Sequence, residues 1–393
     1  MKARIVSDKV SLIGAVDWDR RLFDSLIPLP DGTSYNAYLV RGSEKTALID
    51  TVDPKFTDVL LEQLAEVPAL DYIVANHAEQ DHSGALPAVL ERFPKAKIVC
   101  SERGKGMLID LLHLDDDHFA PVADGDSLSL GDLTLKFVYL PWVHWPETIV
   151  TYVPQEKLLF SCDFFGSHLA TSDVYADEGR VYEPAKRYYA EIMMPFRAII
   201  EKNLEKLQAY KIKTIAPSHG PLYANPQFIM EAYREWVSGA PKNKVVLPYV
   251  SMHDSTRRMV EHLVSALVER GVAVEQYDLT ATDLGKLAMA LVDPATLVLG
   301  TPTVLAGPHP QAVFAAYLAN ALKPKLKFVG IIGSFSWGGK TVDQLTGMMG
   351  NLKVELFEPV MCKGLPRAAD YQALDHLADG ILSKHRELLG AQA

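Results

Sequence analysis

In the first 240 residues, short runs of β-branched and aromatic residues alternate with turn residues. Residues 36–52 predict two strands joined at Arg41-Gly42-Ser43. Residues 148–153 and 157–162 predict a hairpin that turns at Pro154-Gln155. Apolar residues at helical spacing predict helices at residues 56–66, 84–93 and 190–210. Strands with interspersed helices favour an α+β sandwich that carries its helices on the outside.

The pattern changes after residues 238–243, whose Ser-Gly-Ala-Pro-Lys-Asn composition is typical of a linker. Predicted strands then lie at residues 244–250, 273–279, 296–300, 327–333 and 353–357. Predicted helices between them lie at residues 256–270, 282–290, 310–321 and 341–350. Strict β-α alternation over five strands predicts a flavodoxin-like, doubly wound parallel sheet rather than a two-half Rossmann fold. We therefore expect two domains, residues 1–240 and 244–393, in a chain too long for one ordinary core.

Charge and cysteine content narrow the function classes. The chain has 39 Lys and Arg against 49 Asp and Glu, a net charge of −10, so a general affinity for nucleic acid or anionic membranes is not expected. Cys100, Cys162 and Cys362 form no C-x-x-C pair, which argues against a disulfide framework and an attached thiolate-iron module. The sequence shows neither a signal peptide nor an apolar run of membrane-spanning length, so a reducing cytoplasmic location is expected.

A motif of histidines and carboxylates follows the strand predicted at residues 72–76. Residues 77–82 read His-Ala-Glu-Gln-Asp-His. Alternate residues of an extended segment face the same side, so His77, Glu79 and Asp81 are expected to project together. His82 can add a fourth ligand if the chain turns there. The motif therefore predicts a metal site at the end of this strand.

Three further candidate ligands follow predicted strands: His144, Asp163 and His219. Together with the motif they supply four imidazoles and three carboxylates, enough for two metals and one bridging carboxylate. A lone histidine or aspartate at a strand end is more often a loop residue or a cap, but the compact motif and three matching strand ends favour a dinuclear site. The donor set suits iron or manganese better than structural zinc, although carboxylate-bearing zinc sites exist. His168 is expected to support the site without binding metal.

Three loops of the second part carry hydroxyl groups and glycines at the ends of predicted strands. Their candidate cofactor-binding residues are Ser251, Met252, His253, Asp254, Ser255 and Thr256; Pro302 and Thr303; and Ser334, Phe335, Ser336, Trp337, Gly338 and Gly339. Hydroxyls and backbone N–H groups at a helix N-terminus bind anions, and the first loop matches neither G-x-G-x-x-G nor a Walker loop. The loops therefore predict FMN, with Phe335 or Trp337 against the isoalloxazine ring. The alternative is that they only cap helices and form turns.

Both halves resemble the A-type flavodiiron protein family, and the resemblance covers almost the whole chain. The segments that carry it are residues 14–19, 34–39, 77–82, 144–146, 163–166 and 216–221. The resemblance implies a metallo-β-lactamase-like αββα domain followed by a flavodoxin-like FMN domain. It also implies the iron ligands: His77, Glu79 and His144 for one iron, Asp81, His82 and His219 for the other, and Asp163 as the bridge. In some members the residue equivalent to His82 is not bound.

The resemblance implies an oxidoreductase that passes electrons from an external donor such as rubredoxin, through FMN, to a diiron site. That site reduces dioxygen to water, nitric oxide to nitrous oxide, or both, and the family forms head-to-tail homodimers or dimers of dimers. The chain departs from the family pattern at Asp254, where a small residue is frequent, and at Leu305 and Ala306, where a flavin-contacting Asn is common.

Two other functions remain open on the sequence alone. One is a dinuclear zinc hydrolase of the metallo-β-lactamase type, in which the second domain is accessory; Glu79 argues against it because such a site usually has His there. The other is a flavin-bound redox carrier or sensor with a structural metal site. The complete set of seven nitrogen and oxygen ligands argues against that reading.

Overall fold

Two sheets form the centre of the first part of the chain. In the computed structural model, which describes residues 2–390, a first compact unit ends at Val237 and a second begins at Ser238. The first sheet has the strand order Arg4–Ile5, Val10–Asp17, Thr33–Arg41, Thr46–Ile49, Tyr72–Val74 and Lys97–Val99. The second has the order Thr214–Pro217, Leu158–Cys162, Ile149–Val153, Thr134–Tyr139 and Ser127–Ser129. A separate short hairpin pairs Leu22–Phe23 with Ile27–Pro28.

Alternating side chains give the first sheet two apolar faces. Leu12 and Val40 belong to a core that also contains Phe137 and Phe160 of the second sheet, so the two sheets pack face to face. The opposite face, which includes Ile13, packs against helices. The α-helices of this unit are Thr57–Gln63, Gln80–Ser83, Leu86–Arg92, Glu102–Leu112, Glu178–Tyr188, Arg197–Leu207 and Pro226–Val237. Short 3-10 helices lie at Pro54–Phe56, Asp116–His118 and Met194–Phe196, and a π-helix at Tyr189–Met193.

The second unit is built on a parallel sheet. Its main strand order is Ala273–Asp278, Lys242–Tyr249, Pro294–Val304, Phe328–Phe335 and Glu355–Leu356. Numbered along the chain this order is 2-1-3-4-5, the flavodoxin-like arrangement in which ligands bind at the carboxyl ends of the strands. The helices are Ser255–Glu269, Leu284–Ala290, Pro310–Leu322, Thr341–Met348 and Ala368–Gly390. The fold class predicted from the sequence is confirmed.

Two elements differ from the prediction, each at a proline. The helix expected over residues 190–210 is regular only from Arg197 to Leu207 and is preceded by the π and 3-10 turns, because Pro195 lacks an N–H and crowds the preceding turn. The fifth strand consists of two pieces, Glu355–Leu356 and Val360–Lys363, both paired with Phe328–Phe335. Pro359 separates these pieces. No helix among residues 2–390 has the length and apolar content needed to cross a membrane.

Candidate metal centre and hydroxyl-rich loops

The seven candidate metal ligands lie in two neighbouring groups in the first unit. The first group contains His77, Glu79, His144 and Asp163, and the second contains Asp81, His82 and His219. Within each group the potential ligand atoms lie within 4.8 Å of one another. His77 and Glu79 are extended and share a side, as alternation predicts. Asp81 does not join them, because the chain turns into the helix Gln80–Ser83 and directs Asp81 to the second group.

Asp163 lies between the two groups. Its Oδ2 is 3.2 Å from Nε2 of His144 and 3.6 Å from Nε2 of His77. Its Oδ1 is 2.9 Å from Nε2 of His82 and 3.6 Å from Nε2 of His219. Because each oxygen faces a different group, this carboxylate has the placement needed to bridge two cations.

The first group is a network of carboxylates and imidazoles. Oε2 of Glu79 lies 3.0 Å from Nε2 of both His77 and His144. Burial lowers the pKa of His144, but Asp163 and Glu79 outweigh burial and raise it to about 9. Burial raises the pKa of Glu79, and the two histidines more than reverse this and hold it well below its usual value. The carboxylates therefore hold positive charge at the imidazoles, which a bound cation would replace.

The ligand atoms of the second group lie close together but do not satisfy one another by hydrogen bonds, so they suit a bound cation. Oδ2 of Asp81 lies 3.2 Å from Nε2 of both His82 and His219. Yet both oxygens of Asp81, both ring nitrogens of His82 and Oδ1 of Asp163 are buried without a hydrogen-bond partner among residues 2–390. Burial lowers the pKa of His82, but Asp81 and Asp163 raise it to about 9. Unsatisfied buried donors and acceptors that converge in this way suit metal coordination.

Neighbouring groups fix the orientation of two imidazoles. Nδ1 of His77 lies 2.8 Å from Oε1 of Glu147, and Nδ1 of His219 lies 2.7 Å from the carbonyl oxygen of Ser34. When Nδ1–H donates to these oxygens, the lone pair of Nε2 points into the site, as a metal ligand requires. Asn36 adds two amide donations, to the carbonyl oxygens of Pro217 (2.9 Å) and Gly220 (2.7 Å) on either side of His219.

Sequence reasoning missed two buried carboxylates that support the ligands. Glu147 holds His77, and Asp50 accepts hydrogen bonds from the backbone N–H (2.8 Å) and the side-chain amide (2.9 Å) of Asn76, which precedes His77. Asp50 follows the strand Thr46–Ile49, so its position at a strand end was the available signal. His168 belongs to neither ligand group; its Nδ1 lies 2.9 Å from Oγ1 of Thr33.

In the second unit, the three hydroxyl-rich loops meet at two adjoining cavities. One cavity is lined by Ser251, Met252, His253, Ser255, Thr256, Pro302, Thr303, Ser334, Phe335, Ser336 and Gly364. The other is lined by Thr303, Phe335, Gly338, Gly339, Lys340, Thr341, Val342, Asp343 and Met361. The first cavity lies at the start of the helix Ser255–Glu269, where backbone N–H groups favour an anion. Thr256 and Ser334 tie two loops together through a contact of 3.2 Å between their hydroxyls.

Two of the predicted cofactor-binding residues, Asp254 and Trp337, line neither cavity. Asp254 adopts a left-handed φ of 61° and is exposed, and the Trp337 side chain is 67% exposed. Phe335 lines both cavities and is therefore the better placed of the two aromatic candidates. Leu305 and Ala306, with φ of 50° and 62°, form the tip between paired strands, and Leu305 is 89% exposed.

Comparison with known proteins gives matches along the full chain. The family described as ODP family beta lactamase matches residues 33–220. The chain is 37% identical to the nitric oxide reductase of Moorella thermoacetica, covering 96% of this chain and 98% of that protein. It is 34% identical to the rubredoxin-oxygen oxidoreductase of Megalodesulfovibrio gigas, covering 100% of both.

Solved structures agree with these matches. The rubredoxin oxygen:oxidoreductase from Desulfovibrio gigas has a TM-score of 0.94 at 32% identity, covering 98% of this chain and 99% of that chain. The flavodiiron protein from Giardia intestinalis has a TM-score of 0.92 at 26% identity, covering 100% and 99%. The fold and the relatives define an oxidoreductase with a metallo-β-lactamase-like domain followed by a flavodoxin-like domain. The chain belongs to the flavodiiron protein family.

Proposed function

We propose that the two ligand groups bind two iron ions and that the hydroxyl-rich loops bind FMN. The observation that carries this proposal is the position of Asp163, whose oxygens each face one ligand group. The assignment of residues follows the geometry: His77, Glu79 and His144 for one iron, Asp81, His82 and His219 for the other, and Asp163 for both. Residues 1–240 would form the diiron domain and residues 244–393 the FMN domain.

We propose that the protein reduces dioxygen to water, nitric oxide to nitrous oxide, or both, with electrons that reach the irons through FMN. Iron supplies the redox chemistry, because it changes oxidation state and can leave coordination positions open for a diatomic gas. Asp163 would be a ligand to both irons, since each of its oxygens faces one ligand group. Glu147 and the Ser34 carbonyl keep the His77 and His219 rings directed into the site.

In the second unit, the chain's own groups suit the phosphate and ring of FMN. The Ser251 and Thr256 hydroxyls and the backbone N–H groups at the start of the helix Ser255–Glu269 suit a phosphate dianion. Phe335, at the boundary of the two cavities, is placed to contact the isoalloxazine ring. Leu305 stands where the family commonly has a flavin-contacting Asn, and it is exposed and lines neither cavity, so we expect backbone groups to carry the polar contacts in this loop.

The electron donor and the assembly are part of the same proposal. One relative is named a rubredoxin-oxygen oxidoreductase and others are named flavorubredoxins, which supports a separate rubredoxin-type donor for this chain. We propose a head-to-tail homodimer, or a dimer of such dimers, and a cytoplasmic location. The rival zinc hydrolase is not favoured, because Glu79 adds a carboxylate to the first group and the full-length relatives are oxidoreductases.

A visible spectrum and gas-consumption assay test this function together. The purified protein is expected to show flavin absorption bands and to consume dioxygen or nitric oxide when a reduced rubredoxin is supplied. A colourless protein that consumes neither gas and hydrolyses esters would contradict the proposal.

A further inference from the structure

Four polar atoms lie buried beside the second ligand group without a hydrogen-bond partner among residues 2–390. They are Oγ of Ser167, Nε2 of His168 and the hydroxyls of Tyr223 and Tyr233. None of the four residues is more than 3% exposed. Native proteins rarely leave buried polar groups unsatisfied, and ordered water is a frequent partner of buried polar groups that have no partner within the protein. Four such atoms in one region therefore indicate a polar occupant.

The loop that follows Asp163 brings two of these atoms to the His219 segment. The backbone N–H of Ser167 donates to the carbonyl oxygen of His219 at 3.2 Å. A Cβ at Gly220 would lie only 2.1 Å from Oγ of Ser167, so this hydroxyl lies directly against the backbone that follows His219. The Ser167 side chain is therefore fixed beside a metal-binding segment.

The two tyrosines face the same loop. Burial raises the pKa of Tyr223, and the facing Ser167 hydroxyl opposes part of this rise. The ring of Tyr233 lies 5.0 Å from that of Phe165, and the Phe165 backbone faces the Tyr233 hydroxyl. Neither phenol forms a hydrogen bond of ordinary geometry with the described residues. Each phenol therefore faces a polar atom of this loop without an ordinary direct hydrogen bond to it.

His168 connects this region to the ligands. Its Nδ1 is 2.9 Å from Oγ1 of Thr33, and Thr33 Oγ1 is 3.5 Å from Nδ1 of His219. The imidazole rings of His168 and His219 are 4.9 Å apart. One ring nitrogen of His168 is thus engaged by Thr33, and the other, Nε2, belongs to the unsatisfied set.

We propose that Ser167, His168, Tyr223 and Tyr233 hold a cluster of ordered water molecules that supplies protons to gas reduction at the metal centre. Water suits this set because it donates and accepts at once, as hydroxyls do, and a buried water makes about three hydrogen bonds. The proposal rests on the proposed function. Reduction of dioxygen to two waters consumes four protons with four electrons, and reduction of two nitric oxide molecules to nitrous oxide and water consumes two of each.

Such a route matters on the side of the second ligand group, where the ligands are buried. His82, His219 and Asp163 are each 1% exposed, so bulk water does not reach this side of the centre directly. A hydroxyl or water passes a proton by accepting one and donating another, with no net change in its charge. The cluster therefore requires no charged side chain within the apolar surroundings.

Hydroxyl-deletion variants test both parts of the proposal on the full-length holoprotein. Tyr223→Phe, Tyr233→Phe and Ser167→Ala each remove one oxygen and leave the packing nearly intact. Tyr189→Phe is the matched control, because the Tyr189 hydroxyl donates to the Trp236 carbonyl oxygen at 3.2 Å and is not in the set. We expect the test variants to retain iron and FMN, to lose about tenfold in kcat with a larger solvent isotope effect, and to keep KM. The control should keep its kcat and isotope effect.

The thermal unfolding midpoint separates a hydrated pocket from a dry one. Removal of a hydroxyl that binds water lowers the midpoint, whereas removal of a dry, unsatisfied hydroxyl raises it. A high-resolution crystal structure is expected to show water within hydrogen-bonding distance of the Tyr223 and Tyr233 hydroxyls. Raised midpoints, a dry pocket and unchanged kcat would overturn the inference. If the wild-type protein reduced neither gas, the proposed function and the proton-supply role would fail, while the midpoint would still decide whether the site holds water.

Discussion

The side chain of Glu147 holds His77 from the side opposite the candidate metal site. Its Oε1 lies 2.8 Å from Nδ1 of His77 and also accepts the backbone N–H of Ala78 at 3.0 Å. Both residues are almost fully buried, so this carboxylate fixes the ring orientation and its tautomer. Asp163 lies on the opposite side of His77, within the candidate metal site, where each of its two oxygens faces one ligand group.

Removal of Glu147 should weaken metal binding without unfolding the second unit. We predict that Glu147→Ala lowers the affinity of the first ligand group about 10–100-fold, because His77 loses its orienting partner. Glu147→Gln keeps an acceptor oxygen and should lose less. Competition with a chelator measures the effect, and Glu44→Ala at an exposed position is the control. Equal iron retention in Glu147→Ala and the control would contradict this role.

Asp163→Asn tests the bridge. The amide retains the size of the carboxylate but removes its charge and one of its two acceptor oxygens, so the two cations lose their shared ligand. We expect iron to fall to one per chain or fewer and gas reduction to stop, with FMN retained. Metal analysis and the flavin spectrum of the same sample measure both. A variant that keeps two irons and full activity would refute the bridging role.

Glu79→His should change metal preference. The carboxylate adds negative charge to its metal and favours iron, whereas a neutral imidazole suits zinc. We predict a lower iron-to-zinc ratio when both metals are supplied during expression, together with slower gas reduction and an unchanged flavin spectrum. The same metal ratio in the variant and the wild type would show that Glu79 does not set the preference.

The double variant Ser251→Ala, Thr256→Ala should lose FMN while keeping iron. Each hydroxyl bonded to a charged phosphate contributes about 1.5–3 kcal/mol. Flavin retained after dialysis measures the loss. Ser265→Ala is the control, because Ser265 lies on the same helix but is exposed and bonds the Glu261 carbonyl oxygen. Equal FMN occupancy in the double variant and the control would place the phosphate elsewhere.

Stability of the second unit should depend on His385 below neutral pH. Burial lowers the pKa of His385 to about 4, and its nitrogens contact Thr296 (2.7 Å) and Asn243 (2.8 Å). The unfolded chain, with a histidine pKa of about 6.5, binds the extra proton first as pH falls. The contribution of neutral His385 to the free energy of unfolding is therefore complete above about pH 6.5 and declines as the pH falls towards 4.

His385→Gln provides the comparison, because glutamine keeps polar contacts and does not titrate. We predict that the wild type loses more stability than this variant between pH 7 and pH 4.5. Hydrogen exchange in the strand Pro294–Val304, which carries Thr296, measures the difference. Parallel losses in the two proteins would show that His385 does not titrate on unfolding.

The fold could be predicted from the sequence where local pattern and tertiary packing agree. Residues 36–52 alternate, and strands and helices alternate after residue 243. Both patterns arise because strand faces are buried, and the structure has strands in both regions. Pro195 and Pro359 caused the differences, because each lacks the backbone N–H that a regular helix or strand would use at that position. The long helix Ala368–Gly390 was not predicted, since no following strand marks its end.

The candidate ligands could be predicted because each follows a predicted strand or belongs to one compact motif. The residues that support them could not, because their role depends on contacts between distant segments. Glu147 meets His77 across 70 positions, and Ser34 meets His219 across 185. The prediction that Asp81 projects on the same side as His77 and Glu79 was also wrong, because a helical turn replaces the extended chain at Gln80.

The metal and flavin content of the wild-type protein, purified from iron-replete cells, tests the central claim most directly. The ligand set of two carboxylate-linked groups predicts two irons per chain, and the hydroxyl-rich loops predict one FMN. Elemental analysis and the visible spectrum on one sample give both numbers. Two irons and one FMN per chain are the expected result. Two zinc ions per chain, no flavin and hydrolase activity would contradict the account.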